Sequence, residues 1–304
     1  MNPPPPLSTY ITDDALADLA ARARREDLGP DERDVTSELF IPADLDAAAR
    51  LAPRRAGVMA GLAALPTIAA AYHHDLEVEL LAGDGRRVEA GEDVAVIAGP
   101  LRAILACERV ALNLIGRLSG IATLTAEYVE RCRGAAAKVF DTRKTTPLLR
   151  GLEKYAVACG GGHNHRMGLY DAVLLKDNHL AHVPGDALRD KVAAAVERAR
   201  RERPALKFIE VEVDTLDQFD AVLTAGVDLV LLDNLPVKAL EQAVARRARR
   251  AESVQLEASG GVSLDTVAEV AATGVDRISV GGLTHAASSL DVGLDLEASS
   301  DRDG

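Results

Sequence analysis

Between Asp141 and His179 the chain reads DTRKTTPLLRGLEKYAVACGGGHNHRMGLYDAVLLKDNH. Up to Lys176, the cations Arg143, Lys144, Arg150, Lys154, Arg166 and Lys176 meet only Asp141, Glu153 and Asp171, with His163 and His165 among them. Arginine offers carboxylates a planar fork and lysine a compact charge. Several such groups together suit an anion with more than one carboxylate. Farther along, Glu212 and Asp233 could hold ribose hydroxyls, ligate Mg²⁺ or stabilise a cationic transition state. Ser259-Gly260-Gly261 and Gly281-Gly282 could receive a phosphate on backbone N–H groups. Two other chemistries compete for the same residues. Lys176 at a strand end could form a Schiff base, as barrel aldolases do. Cys159, His163 and His165 suggest zinc, but a fourth ligand at recognised spacing is missing.

The rest of the chain sets these residues off. Its 35 Lys+Arg against 47 Asp+Glu leave a net charge of −12, so a basic island costs self-repulsion unless an anion goes there. The same acidity, with aromatics at 3% and no Trp, argues against nucleic-acid and membrane-surface binding. Arg246, Arg247, Arg249 and Arg250 fall on a predicted helix and read as a solvated face. Three cysteines in no CxxC pair suit a reducing compartment. Without an apolar run of spanning length or a signal-peptide core, the expectation is a soluble cytoplasmic protein.

Positioning falls to a run of alternating elements. Residues 139–143, 172–176, 208–213, 228–233, 255–259 and 277–281 are short β-type runs, separated by helical patterns over 147–158, 186–203, 215–225, 236–252 and 264–273. Alternation of this kind predicts parallel strands with helical crossovers. Arg143, Lys176, Glu212, Asp233, Ser259 and Gly281 each end a run, and barrel enzymes place their chemistry on that rim. An open sheet would instead concentrate its site at one switch point. A TIM-like barrel is therefore expected, an incomplete one because fewer than eight strands are clear. Asp141, Glu210 and Glu257 form an inward acidic tier expected to pair with basic residues above. Before the barrel, helices are expected over 13–25 and 62–73, short strands lie between, and 101–133 is a long helix broken near Ser119-Gly120. Arg109 shares an apolar stripe there with Leu105 and Leu112, so it forms an internal salt bridge or points into a site.

Taken together, EDLG near residue 26, ACERVALNLIGRLSGIAT at 106–123, DTRKTTP at 141–147, LEKYAVACGGGHNHRMGLYDAVLLKDNH at 152–179, EVEVD at 210–214, LLDN at 231–234, LEASGG at 256–261 and ISVGGLTHAASSLDVGLDL at 278–296 resemble the quinolinate phosphoribosyltransferase family over nearly the whole chain. The resemblance implies an α/β protein: an open TIM-like α/β barrel over 117–287, and an N-terminal α/β sandwich domain over 9–116 completed by 288–298. Disordered tails are expected over 1–8 and 299–304. It implies that phosphoribosyl passes from 5-phosphoribosyl 1-pyrophosphate to the ring nitrogen of quinolinate, with decarboxylation. The products are nicotinate mononucleotide, pyrophosphate and CO₂, in NAD biosynthesis. Quinolinate contacts map to Arg109, Thr142, Arg143, His165, Arg166 and Lys176. Sugar-phosphate contacts map to Lys144, Glu212, Asp233, Ser259, Gly260, Gly261, Gly281, Gly282 and Leu283. Lys144, Lys176, Glu212 and Asp233 are the implied catalytic set, with Mg²⁺ on Glu212 and Asp233. The implied assembly is a homodimer, or a higher oligomer built from it, in which Arg109 completes the other subunit's site. A non-catalytic sugar-phosphate sensor is the alternative, and intact Glu212 and Asp233 argue against it.

Two departures from the family pattern stand out. EDLGPDERDVT carries extra residues between Gly29 and Asp34, and Leu148-Leu149 occupies a place where glycine is common.

Overall fold

The computed structural model describes residues 3–296, so the tail expected over 299–304 lies outside the described residues. The chain divides into two compact units. The first takes in the chain up to Ala126, then Thr146–Gly161, then the chain from Ala286 on. The second takes in Glu127–Thr145 and Gly162–His285.

In the first unit the prolines do not leave a loose tail. Leu7 is buried in a 3₁₀ turn, Leu7–Thr9, where disorder through residue 8 was expected. Prolines with φ already fixed lose little further entropy when they are laid down. Helix α1 (Asp13–Leu28) starts where Thr12 accepts the Ala15 N–H, and it buries Leu16 and Ala20. The extra residues after it make a tight reversal. Gly29 (φ 72°) and Glu32 (φ 51°) turn the chain, and Arg33 N–H returns to Leu28 O at 3.2 Å. Asp34 then caps α2 (Val35–Phe40). Next come β1 (Asp46–Pro53), β2 (Gly57–Val58), α3 (Leu65–Tyr72), β3 (Glu77–Leu80), β4 (Arg87–Val88) and β5 (Ala95–Pro100). The C-terminal strand, Val292–Leu296, pairs antiparallel with β1, giving the order C-terminal strand, β1, β5, β3. The last strand of the chain thus completes the first sheet.

Helix α4 (Leu101–Arg131) is continuous, against the expected break at Ser119-Gly120. Glycine here permits contact rather than ending the helix. A Cβ at Gly120 would lie 2.1 Å from Ser288 O, and Ser119 Oγ bonds Ala60 N at 3.0 Å. Helix α5 (Arg150–Cys159) begins later than expected, because Pro147 precedes Leu148 at φ 69°, a left-handed backbone that glycine would adopt more cheaply. It groups with the first unit, whereas Arg143, Lys144, Arg166 and Lys176 group with the second. Lys154 is fully buried.

The second unit is one parallel sheet. Its strands are β6 (Lys138–Phe140), β7 (Val173–Leu175), β8 (Ile209–Val213), β9 (Leu229–Asp233), β10 (Gln255–Ser259) and β11 (Arg277–Ser279), in the order β6-β11-β10-β9-β8-β7. Helices α6 (Asp177–Leu180), α7 (Leu188–Glu202), α8 (Leu216–Val222), α9 (Val237–Arg250), α10 (Val267–Ala272) and α11 (Gly282–His285) follow the strands. Val211, Val230, Leu232, Leu256 and Ile278 are fully buried, each contributing roughly 2 kcal/mol of transfer free energy. β6 carries only an isolated parallel bridge from Phe140 to His163 on its outer side. The barrel is therefore open, as expected.

Three strand ends fall short of the expected ones. β6 stops at Phe140, β7 at Leu175 and β11 at Ser279, so Arg143, Lys176 and Gly281 lie in the following loops. Other bonds take over the backbone there. Lys144 N–H goes to Thr142 Oγ1 (3.1 Å), Lys176 N–H goes to His179 Nδ1 (2.9 Å), and Gly281 O accepts the Thr284 N–H (3.2 Å). Glu212, Asp233 and Ser259 are true strand residues. Among the described residues no helix is long and apolar enough to cross a membrane.

Candidate active site

A cavity of about 870 Å³ opens over the carboxyl ends of the second unit's strands. Thr142, Arg143, Lys144, His165, Arg166 and Lys176 line one wall, Glu212 and Asp233 another, and Ser259-Gly260-Gly261 with Gly281-Gly282 a third. Of the residues expected to make the site, two are not brought here. Leu283 has a fully buried side chain and bonds Val280 O through its N–H (3.4 Å). Arg109 belongs to the first unit, where its side chain is 64% exposed beside Glu108 at 3.6 Å. There it lines an apolar cleft of about 340 Å³ with Leu16, Leu19, Ile68 and Leu114.

The cation wall is held from behind. Asp141, fully buried, accepts Asn164 Nδ2 at 2.7 Å and His165 N–H at 2.8 Å. Asp171 accepts Met167 N–H (2.8 Å) and Gly168 N–H (3.0 Å), which pins the far end of the same loop. Arg166 is only 7% exposed. Burial first, and then the Arg143 cation beside it, lower its pKa from the ordinary 12.5, although a guanidinium stays charged. Arg143 carries a buried Nε with no hydrogen-bond partner. Two neighbouring guanidiniums, one with an orphaned donor, are a built site for an anion.

On the adjoining wall, Glu212 takes Lys176 Nζ in a short charged contact. Lys176 is thus engaged by a carboxylate, not held in the apolar pocket a Schiff-base lysine needs. Asp233 Oδ2 accepts Asn234 Nδ2 at 2.8 Å, and Asn234 N–H bonds Ser259 O at 2.8 Å. Asn234 sits at φ 53°, a left-handed conformation that asparagine tolerates. Gly260 (φ 90°) must be glycine, because a Cβ would lie 2.3 Å from Asn234 Oδ1. Asn234 therefore joins the acidic wall to the first glycine turn. Sequence reading passed over it, though an asparagine directly after a strand-end aspartate was a usable signal. At the second turn a Cβ on Gly281 would lie 2.9 Å from Lys144 Cδ, and Thr284 Oγ1 bonds Lys144 O at 2.8 Å. Ser279 and His285, also missed, line the cavity nearby. The zinc reading is not supported: Cys159 is buried, and burial pushes its thiol pKa up, away from the thiolate a metal requires.

Beneath the cations lies the acidic tier. His165 Nε2 meets Glu210 Oε2 at 3.0 Å and Glu257 Oε1 at 3.5 Å, with both glutamates fully buried. The pairing expected of this tier is thus met by histidine. Burial alone would lower the His165 pKa, but Glu210 and Glu257 more than reverse it and raise it to about 9. Burial, and then the charge of Glu257, raise Glu210 above the usual carboxylate range. A raised histidine pKa adds stability that is full below about 6.5 and is lost as pH climbs through about 9. The raised carboxyl acts in the same direction. Melting temperature is therefore expected to fall between pH 7 and pH 9.5 and to fall less in His165→Asn; equal slopes would contradict the cluster's charge state.

An open parallel barrel that gathers a cationic, an acidic and a glycine wall on one rim defines the class: an α/β-barrel protein with a cavity suited to anions. Residues 34–119 match the N-terminal domain of quinolinate phosphoribosyl transferase, and residues 121–295 match its C-terminal domain. The chain belongs to the quinolinate phosphoribosyl transferase family. It is 45% identical over 287 residues to a nicotinate-nucleotide pyrophosphorylase (carboxylating) of Mycobacterium leprae, spanning 93% of this chain and 98% of that protein. It is 35% identical to a decarboxylating quinolinate phosphoribosyltransferase of Nicotiana tabacum, over 97% of this chain and 85% of that one. The solved nicotinate-nucleotide pyrophosphorylase of Francisella tularensis superposes with a TM-score of 0.86 at 34% identity, covering 94% of this chain and 98% of that one.

Proposed function

We propose that the protein transfers phosphoribosyl from 5-phosphoribosyl 1-pyrophosphate to quinolinate and releases nicotinate mononucleotide, pyrophosphate and CO₂, as a step of NAD synthesis. The observation that carries this reading is the paired guanidinium wall with its orphaned Arg143 Nε, set across from two carboxylates and two glycine turns. Quinolinate bears adjacent carboxylates. Arg143, Arg166, Lys176 and His165 receive them, with Thr142 beside the fork. The 5′-phosphate goes to the backbone of Ser259-Gly260-Gly261 and Gly281-Gly282, and Lys144 reaches phosphate oxygens. Glu212 and Asp233 meet the ribose hydroxyls and stabilise positive charge at the anomeric carbon.

The pyridine nitrogen attacks that carbon as its bond to pyrophosphate breaks, so no protein nucleophile is needed. The ribosylated ring then carries a positive nitrogen. Loss of CO₂ leaves an electron pair on the adjacent ring carbon, which that nitrogen stabilises until a proton fills it. Two carboxylates make an incomplete ligand set, which fits Mg²⁺ held chiefly by pyrophosphate and water. Bound there, Mg²⁺ would offset pyrophosphate charge.

Arg109 is read as the contribution of a second copy, a role for which its exposed side chain leaves it available. In mixtures of Arg109→Ala with Asp233→Asn, each inactive alone, hybrid dimers carry one intact site and activity returns. Failure to complement would sink the shared site. Substrate choice tests the carboxylate reading: nicotinate, lacking the second carboxylate, should be used at least about 100-fold less well than quinolinate. Equal use would overturn it.

A further inference from the structure

The reaction above leaves Glu210 and Glu257 without a role, yet both are fully buried carboxylates, and Glu257 lines the floor of the cavity. Glu210 Oε1 and both oxygens of Glu257 have no hydrogen-bond partner, and the nearest cationic group is the His165 ring, 3.0 and 3.5 Å away. Unpaired buried carboxylates are costly, so a positive charge between them is strongly favoured. The other charges around the ring are Asp141, which holds the His165 backbone N–H, Arg166 next in the chain, Arg143 beside Arg166, and Arg277, which acts on Glu210. The Phe208 ring closes one side edge-on at 5.2 Å.

We propose that Glu257 and Glu210 are positioning residues for the carboxylate subsite: Glu210 accepts the His165 Nε2–H, Glu257 sets its charge 3.5 Å from the same nitrogen, and together they hold the ring cationic when a dicarboxylate occupies the cavity. The inference rests on reading that cavity as the quinolinate site. Nδ1 explains why the ligand matters. It lies 2.8 Å from the Arg166 N–H, so a ring that the glutamates hold cationic turns a second donor toward that N–H. Protonation sets two donors side by side, and an anionic oxygen that accepts from both relieves the conflict. The glutamates supply the proton affinity, and the substrate carboxylate supplies the acceptor.

Glu257→Gln removes one charge and keeps the shape. The KM for quinolinate in the native enzyme is expected to stay flat from pH 6.5 to 8.5. In Glu257→Gln it should rise about tenfold over that interval, the value of a lost charged hydrogen bond. The KM for phosphoribosyl pyrophosphate should not move, and Glu257→Asp, which restores the charge, should recover the flat profile. Superimposable KM profiles for native enzyme and Glu257→Gln would overturn the proposal. Should Glu257→Gln fail to fold, ¹⁵N-histidine NMR of the native protein with quinolinate at pH 8 decides. A doubly protonated His165 ring supports the proposal and a neutral ring overturns it. Quinolinate that does not bind at all overturns instead the reading of the cavity on which the proposal rests.

Discussion

Arg166→Ala is expected to lower kcat/KM for quinolinate by about 10²–10³, chiefly through KM, while leaving the protein folded. The size follows from where the guanidinium sits. It is 7% exposed, beside Arg143, and its Nη1 reaches Ala172 O in a long contact at 3.4 Å. Among the described residues the fork makes no shorter hydrogen bond, so its removal is felt by the ligand. Stability should hold or rise, because Arg143 then loses a like-charged neighbour. Arg166→Lys should recover little, since an ammonium offers a point charge where two carboxylates need a planar fork. Steady-state kinetics with a thermal melt separates these effects. Unchanged KM, or a KM change accompanied by a collapse in melting temperature, would show that Arg166 acts through the fold instead of on the substrate.

The second large effect lies in the first unit. Gly120→Ala should destabilise by about 3 kcal/mol, even though alanine is the better helix former by about 1 kcal/mol. The new Cβ would sit 2.1 Å from Ser288 O and 2.9 Å from the backbone of Ser288 and Ser289. No flexible side chain can yield there; the segment leading to the C-terminal strand must move off α4. Gly116 repeats the arrangement, with Leu290 O at 2.8 Å. Denaturant unfolding of Gly120→Ala checks this directly. An unchanged midpoint would mean that the segment Ser288–Leu290 does not hold its place against α4.

These cases mark what the sequence made legible. The alternation of strands and helices, the open barrel and the basic, acidic and glycine walls all followed from residue type and spacing. What did not follow depends on bonds that spacing does not encode. Arg143 and Lys176 were expected at strand tips, but backbone bonds to Thr142 and His179 end the ladders earlier. The glycine at 120 reads locally as a helix breaker, and only the backbone of Ser288 shows why the helix runs on. Lys154 sits among the cations in sequence, yet α5 carries it into the other unit and buries it. Asn234 was passed over because its role, tying Asp233 to the Gly260 turn, joins the ends of two strands that α9 separates in the chain.

The central claim is that the walls of the cavity meet quinolinate and phosphoribosyl pyrophosphate together. The most direct measurement follows products from purified protein given both substrates and Mg²⁺, with carboxyl-labelled quinolinate. Nicotinate mononucleotide, pyrophosphate and labelled CO₂ should appear in equal amounts, and none should form when either substrate is omitted. Release of pyrophosphate without CO₂, or no product at all, would contradict the account.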